Sequence, residues 1–259
     1  MDYPVYFDSR NSLNLFGLND EFKLLSNLYL NKKLPKVIML SGNKGIGKST
    51  LINHLVNSIF DSQNYDSKNL LIFAESQIYK QFKENIFSNI IYVNGFDFKS
   101  IKIEDIRNLK AKISQSSILN KERFIILDDI ELFNLNSLNA LLKTIEEPND
   151  TNHFVLINNQ SKELLDTIKS RSLEIKINIK EKKRLEIINN LVNYYKLDLV
   201  LDKKNIRLSP GNFIKFNYIL KENDISINDN FLKSLSILLN LYKKNKDIIF
   251  INLIYFITE

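Results

Sequence analysis

The segment at residues 37–50, VIMLSGNKGIGKST, constrains the fold of this chain more strongly than any other. Its Gly42, Gly47, Lys48 and Ser49 complete the pattern G-x-x-x-x-G-K-[ST]. The apolar run before the loop predicts a short buried strand, and the spacing of apolar residues in LINHLVNSIF after it predicts a helix. A strand, a glycine loop and a helix in this order predict a phosphate-binding loop. The alternative, a glycine turn with a chance lysine, leaves the flanking strand and helix unexplained.

Each part of this loop has a physical role in holding a phosphate chain. Glycine adopts positive φ angles and allows close approach, and the backbone N–H groups attract anions together with the N-terminus of the following helix. Lys48 is predicted to bridge the β- and γ-phosphates, and the Ser49 hydroxyl is predicted to coordinate Mg²⁺. The predicted nucleotide-binding residues are Gly42, Asn43, Lys44, Gly45, Ile46, Gly47, Lys48, Ser49 and Thr50.

Composition excludes several other kinds of site. The chain has no cysteine and only two histidines, so disulfides, thiolate metal sites and histidine-rich metal sites are excluded. A net charge of +6 permits an acidic partner without requiring one. The N-terminus lacks the pattern of a signal peptide, and the longest apolar run, residues 248–257, is too short to span a bilayer. We therefore expect a cytoplasmic protein with no membrane partner.

Strand and helix patterns alternate up to about residue 178 and predict an α/β domain. The five predicted strands lie at residues 37–40, 90–93, 123–127, 153–157 and 173–179. Because helices connect successive strands, we expect a parallel five-stranded sheet flanked by helices. The polar residues 61–69 are predicted to form a turn.

A charged stretch at residues 180–184 is predicted to be a solvent-exposed hinge and the main domain boundary. After it, the apolar spacing is helical. The predicted organisation is a nucleotide-binding domain at residues 1–178, a small helical domain at 179–225 and a short helical C-terminal segment at 226–259.

A second motif, FIILDDIE at residues 124–131, is an apolar strand that ends in acidic residues. A carboxylate at the carboxyl end of a neighbouring strand faces the phosphate site of an α/β sheet, so Asp128 is predicted to hold Mg²⁺ opposite Ser49. Asp129 is predicted to polarise the attacking water, although P-loop ATPases of this build usually place a glutamate there. Because aspartate is one methylene shorter than glutamate, its carboxylate would lie about 1 Å from the usual position, and such a displacement can lower the rate by about 10²-fold. We therefore expect slow or absent hydrolysis. The alternative is a pair of acids that caps the next helix.

Further stretches go beyond this general pattern. The run SLNALLKTIEEP at residues 137–148 resembles the signature helix of the clamp-loader branch of the AAA+ ATPases. Ser-Arg-Ser at 170–172 is similar to that family's Ser-Arg-Cys motif, and Leu-Pro at 34–35 also fits. The resemblance covers about residues 14–220. It implies a P-loop AAA+ fold with a helical lid domain, and ATP with Mg²⁺ as the cofactors.

The resemblance also implies roles for two residues outside the loop. Asn158 matches the sensor residue that orients water against the γ-phosphate. Arg171 matches the arginine finger, which completes the site of a neighbouring subunit rather than its own. For Arg171, a surface cation that caps the C-terminus of the preceding helix is the alternative.

Within that branch, the chain most resembles the delta-prime subunits of bacterial DNA polymerase III. Ser-Pro-Gly at 209–211 is similar to a stretch of their second domain, but Asn212 stands where an arginine would contact the γ-phosphate. The zinc-binding cysteines common in the family are missing, so no zinc is expected. The family's helical collar domain would be shortened, divergent or cut off, because only residues 226–259 remain for it.

The resemblance implies a subunit that assembles with tau/gamma and delta subunits to load the sliding clamp on primed DNA during DNA replication. It implies weak ATP binding, at most a weak ATPase activity of the chain alone, and an arginine finger in trans. Contact with the sliding clamp is expected to be indirect, and contact with DNA is expected only in the assembled complex. One alternative is a self-sufficient tau/gamma-like or other AAA+ ATPase motor. Another is a small-molecule kinase or a GTPase, although residues 157–162 lack the Asn-Lys-x-Asp motif that GTPases need.

Overall fold

The computed structural model describes residues 3–95, 103–114, 122–204, 208–226 and 231–258. The chain forms two compact units. One contains residues 8–180, and the other contains the described residues from 181 onward together with residues 3–7. The predicted three-part division with boundaries after residues 178 and 225 stays a prediction. Nothing in the pattern of residues 3–7 indicates their grouping with the C-terminal helices.

The first unit alternates helices and strands. In chain order its described elements are α1 (Asn19–Leu30), β1 (Val37–Ser41), α2 (Lys48–Phe60), β2 (Tyr65–Asp66), β3 (Leu71–Ile72), α3 (Gln77–Lys83), β4 (Ile90–Asn94), α4 (Ile103–Ser114), β5 (Arg123–Asp128), α5 (Leu135–Glu146), β6 (Asn152–Asn158), α6 (Asp166–Lys169) and β7 (Leu173–Lys176). Five strands form one parallel sheet in the order β4-β5-β6-β1-β7. The predicted parallel five-stranded sheet flanked by helices is confirmed.

Helices cover both faces of this sheet. Phe124 and Ile126 of β5 belong to an apolar cluster that includes residues of α1 and α2, whereas Ile125 and Leu127 belong to a second cluster with residues of α4 and α5. Successive side chains of a strand point to opposite faces. The central strands β1, β5 and β6 are therefore buried along their whole length, which is typical of parallel sheets.

Parallel pairing brings the carboxyl ends of the strands to one edge of the sheet. Ser41 of β1 pairs with Asn158 of β6, and Asn94 of β4 pairs with Asp128 of β5. The glycine loop follows β1 directly. The loop and the acidic end of β5 therefore lie at the same edge, which is where ligands bind in open α/β sheets.

The prediction of a turn at residues 61–69 was wrong in part. Tyr65–Asp66 forms β2, which pairs in antiparallel fashion with β3. The Tyr65 ring stacks on Phe22 with centroids 5.6 Å apart, and its hydroxyl lies 3.1 Å from Nδ1 of His54. A strand of two residues is too short to show a period in the sequence, and tertiary packing of Tyr65 fixes it.

The second unit is helical in its described part. Its elements are α7 (Glu181–Tyr195), α8 (Pro210–Glu222), α9 (Phe231–Asn245) and α10 (Ile248–Thr258). Its core centres on buried apolar residues that include Phe213, Leu238 and Phe250. The N-terminal residues join this core: the rings of Tyr6 and Tyr195 lie 4.7 Å apart.

The charged stretch at 180–184 is not entirely solvent-exposed as predicted. Arg184 is buried, and its guanidinium pairs with Glu181 at 2.7 Å and donates to the backbone oxygens of Leu208 and Lys203. Arg184 therefore stabilises the helical unit, because a buried guanidinium needs such partners. Over the residues that the structure describes, no helix is long and apolar enough to cross a membrane.

Candidate nucleotide-binding site

The glycine loop connects β1 to the N-terminus of α2. Gly47 precedes the helix with φ +99°, a left-handed backbone conformation that residues with a side chain rarely adopt. A Cβ atom on Gly42 would lie 2.4 Å from the backbone oxygen of Ile177. The Gly42 N–H donates to the backbone oxygen of Asn158 at 3.2 Å. Glycine is therefore required at 42 by close approach and at 47 by backbone angle.

Lys48 is buried at the start of α2, with 3% of its surface exposed. Its ammonium donates to the backbone oxygen of Gly42 and to that of Asn43, the latter at 2.9 Å. Burial lowers the pKa of Lys48 to about 8, against the opposing effect of the nearby carboxylates, Asp128 first among them. At neutral pH the side chain is therefore mostly protonated, and it would exchange loop carbonyls for phosphate oxygens on nucleotide binding.

Ser49 and Asp128, the two predicted Mg²⁺ ligands, are brought together. The Ser49 hydroxyl donates to Oδ2 of Asp128 at 2.6 Å, and the Asp129 N–H donates to Oδ1 at 2.9 Å. Burial raises the pKa of Asp128, while hydrogen bonds from Ser49 and Tyr92 oppose that shift. The Tyr92 hydroxyl, which was not predicted as part of the site, donates to Oδ2 at 2.7 Å.

These oxygens fit Mg²⁺, which prefers hydroxyl, carboxylate and phosphate oxygens and is held by few protein ligands. Within the described ranges, no group of three or more His, Cys, Asp or Glu side chains could hold a metal ion. A Mg²⁺ ion on Ser49 and Asp128 would therefore take its remaining ligands from phosphate and water.

Asp129, the predicted water-polarising residue, is held by two partners from other parts of the unit. Lys44 of the glycine loop lies 2.9 Å from its Oδ2, and the Asn159 side-chain amide donates to its Oδ1 at 2.7 Å. Its φ of +52° places the backbone in the left-handed region. Gly95 lies next to Asp129. A Cβ atom on Gly95 would lie 2.2 Å from the Asp129 backbone oxygen. Both carboxylate oxygens of Asp129 are thus engaged within the chain.

Asn158, the predicted sensor, lies at the end of β6 beside the glycine loop. Its side-chain oxygen accepts from the N–H of Gln160 at 2.9 Å, so in this structure it stabilises its own loop. Its role as a sensor stays a prediction. The following residue, Asn159, reaches Asp129 and was not predicted from the sequence.

Glu131 is a third buried acid of the site, after Asp128 and Asp129, and it was not predicted as a site residue from the sequence. Its carboxylate accepts from the N–H of Asn159 at 3.1 Å and from the hydroxyl of Ser161 at 2.7 Å. It therefore holds the loop after β6 close to the end of β5. The signal for it was present, because Glu131 is the last residue of the acidic motif FIILDDIE.

Arg171 lies between α6 and β7, with 34% of its side chain exposed. Its Nε donates to Glu146 of α5 at 2.6 Å, and its Nη1 donates to the backbone oxygen of Thr167 in α6 at 2.8 Å. The second contact is the one expected of a cation that caps a helix C-terminus. The pair with Glu146 is partly exposed, and such pairs contribute little to stability. The role of Arg171 in trans stays a prediction.

Comparison with known proteins agrees with this geometry. Residues 17–181 match the model of a family described as DNA polymerase III, delta subunit. A gamma subunit of DNA polymerase III from Buchnera aphidicola subsp. Schizaphis graminum is 27% identical over 61% of this chain and 42% of its own length. A delta-prime subunit from Bacillus subtilis is 26% identical over 85% of this chain and 63% of its own length.

The fold has a counterpart among solved structures. A DNA polymerase III gamma subunit-related protein from Thermotoga maritima superposes with a TM-score of 0.52 at 18% identity, over 91% of this chain and 83% of that one. The chain spans about two fifths of the length of the gamma subunits that it matches.

Proposed function

Since this chain belongs to the clamp-loader family of DNA polymerase III subunits, we propose that it acts as a delta-prime-type subunit. In this role it assembles with tau/gamma and delta subunits in the cytoplasm and helps to place the sliding clamp on primed DNA. The observation that carries the proposal is Arg171, which is partly exposed and bonds to Glu146 and Thr167 at the surface of its own unit. The contribution of the chain is then a guanidinium for the nucleotide of its neighbour.

The chain's own nucleotide site supports weak use of ATP. Lys48 is bonded to its own loop and Asp129 is bonded to Lys44, so both groups must change partners before they act on a phosphate or a water. Ser49 and Asp128 would hold Mg²⁺, which when bound neutralises part of the charge of the phosphates. Asn212, at the start of α8, carries no positive charge for a γ-phosphate.

Arg171 would act at the nucleotide of the adjacent subunit. A guanidinium presents a planar fork of donors that matches phosphate oxygens. In other phosphoryl-transfer systems, an arginine supplied in trans raises the rate about 10³–10⁵-fold. Glu146 holds the side chain near the surface of α5 until a more highly charged partner, the phosphate chain, replaces it.

The test is a reconstitution with tau/gamma and delta subunits and primed DNA. Arg171→Ala should lower the DNA-stimulated ATPase rate by a large factor, since it removes a charge from the neighbouring site while leaving assembly intact. Lys169→Ala is the matched control, because Lys169 is a cation two residues away that pairs with exposed Asp166. An unchanged rate in assembled complexes containing Arg171→Ala would refute the trans role.

A second function, a self-sufficient ATPase motor, is favoured by one observation. The glycine loop, Lys48, Ser49 and Asp128 are all present and in contact. This alternative requires robust ATP turnover by the isolated chain that Lys48→Ala abolishes. The delta-prime-type role instead requires little turnover without partners.

A further inference from the structure

Tyr92 contacts the metal-binding carboxylate from the neighbouring strand. It lies in β4, which pairs with β5 in parallel register up to Asn94 opposite Asp128. Its hydroxyl donates to Oδ2 of Asp128 at 2.7 Å, and this oxygen also accepts from Ser49 at 2.6 Å. Tyr92 therefore touches one of the two residues that would hold Mg²⁺ without being a ligand itself.

The orientation of Asp128 is fixed by three donors from three parts of the unit. Ser49 and Tyr92 bind Oδ2, while the backbone N–H of Asp129 binds Oδ1. The Asp128 side chain is buried, with 6% of the residue exposed, so water cannot easily replace a lost donor. Ser49 must remain free to turn toward the metal, and the Asp129 N–H follows Asp128 in the chain. Tyr92 is therefore the donor that can hold the carboxylate independently of the metal.

The Tyr92 ring is itself held on two sides. The guanidinium of Arg10 lies over the ring, 5.2 Å from its centroid, and the ring of Phe82 meets it edge to face at 6.4 Å. Asp8 fixes Arg10 by accepting hydrogen bonds from its Nε at 3.1 Å and its Nη2 at 2.7 Å. A cation over an aromatic face is attracted to it. This arrangement restrains the hydroxyl at the end of the ring.

We propose that Tyr92 is a positioning residue for Mg²⁺-nucleotide binding, and that Arg10 supports it by holding the ring. The hydroxyl keeps the Asp128 carboxylate turned toward Ser49, so the metal meets a preformed pair of oxygens. The inference rests on the proposed use of a nucleotide with Mg²⁺ at this site. Partners that orient metal ligands in this way typically contribute about 10–100-fold to metal affinity.

The experiment measures metal and nucleotide binding separately in the full chain. Mn²⁺ replaces Mg²⁺ as the probe, and electron paramagnetic resonance reports the free ion during titration in the presence of ADP. A second titration measures ADP binding in EDTA. In Tyr92→Phe, Mn²⁺ affinity should fall by about 10–100-fold while ADP affinity in EDTA stays at the wild-type value. Arg10→Gln should give a smaller loss of Mn²⁺ affinity in the same direction.

Tyr65→Phe is the matched control. It removes the hydroxyl of a second tyrosine of the same unit, the buried Tyr65, whose partner is His54 rather than Asp128. Wild-type Mn²⁺ affinity in Tyr92→Phe would overturn the inference and leave the proposed function standing. An equal loss of ADP affinity in EDTA would also overturn it, because that result indicates a general structural role. If the wild-type chain bound neither Mn²⁺ nor ADP, the nucleotide use in the proposed function would fail, and the inference with it.

Discussion

The glycine-loop site and the Arg171 segment differ in how their charged groups are held. Lys48 and Asp128 are 3% and 6% exposed and are bonded to groups inside the same site. The Arg171 side chain is 34% exposed and pairs with a carboxylate, Glu146, that is itself 39% exposed. Groups of the first kind are enclosed by their own site, whereas Arg171 is held at the surface by Glu146 and by the backbone oxygen of Thr167. Under the proposed function, the first region would bind nucleotide weakly and the second would donate its arginine to a neighbouring subunit.

The largest expected effect is on ATP affinity, and it distinguishes the glycine-loop site from the Arg171 segment. Lys48→Ala should weaken ATP binding by the isolated chain by about 100-fold, because a hydrogen bond to a charged group contributes about 1.5–3 kcal/mol and about 1.4 kcal/mol is a factor of ten. Arg171→Ala should leave that affinity unchanged. Isothermal titration calorimetry of both variants measures the difference. An equal loss in Arg171→Ala would mean that the two regions serve one pocket.

A second prediction tests whether the engaged carboxylate limits turnover. The double variant Lys44→Ala with Asp129→Glu removes the ion pair and lengthens the side chain by one methylene. ATP hydrolysis by the isolated chain should rise by up to about 10²-fold, the cost ascribed to a displacement of about 1 Å. Each single variant should gain less, because either the ion pair or the short side chain remains.

Phosphate release assays under single-turnover conditions measure these rates. Lys169→Ala combined with Asp129→Glu is the control, since it removes a lysine that does not contact Asp129. A double variant with the wild-type rate would show that the carboxylate of Asp129 does not limit hydrolysis.

The third prediction concerns pH. The pKa of Lys48 is about 8 in the free chain, and a bound phosphate stabilises its protonated form. Nucleotide affinity should therefore be constant below pH 8 and fall by about tenfold per pH unit above it. Titrations at pH 7, 8 and 9 measure the effect, and a flat profile would contradict the lowered pKa of Lys48.

The smallest expected effect is on stability. Glu146→Gln removes the ion pair with Arg171 and should change the free energy of unfolding by less than about 1 kcal/mol, because exposed pairs contribute little. Lys221→Gln, which removes the exposed pair with Asp198, is the matched control. Denaturant titration compares both with wild type. A loss clearly larger than in Lys221→Gln would make Arg171 a structural residue and would weaken the contrast between the two regions.

The central strands and the helices around the glycine loop could be predicted because each has a strong local signal. β1 and β5 are apolar runs bounded by the loop and by acids, and α2 shows the helical apolar spacing of LINHLVNSIF. The two-residue strand at Tyr65 and the burial of Arg184 have no such signal. Packing against residues distant in the sequence determines both the strand and the burial, and the periodicity of neighbouring residues does not indicate either.

The sequence by itself determined the phosphate-binding loop, the order of strands and helices, and the placement of Asp128 at the same sheet edge as Ser49. These features follow from residue type and spacing along the chain. Only the tertiary structure decided that Lys44 pairs with Asp129, 85 residues away, and that Tyr92 and Asn159 bind the two acids. The physical reason is that pairing between separate strands and loops depends on sheet register and side-chain rotamers. The hydrophobic pattern determines the sheet register only in part, and it does not determine the side-chain rotamers.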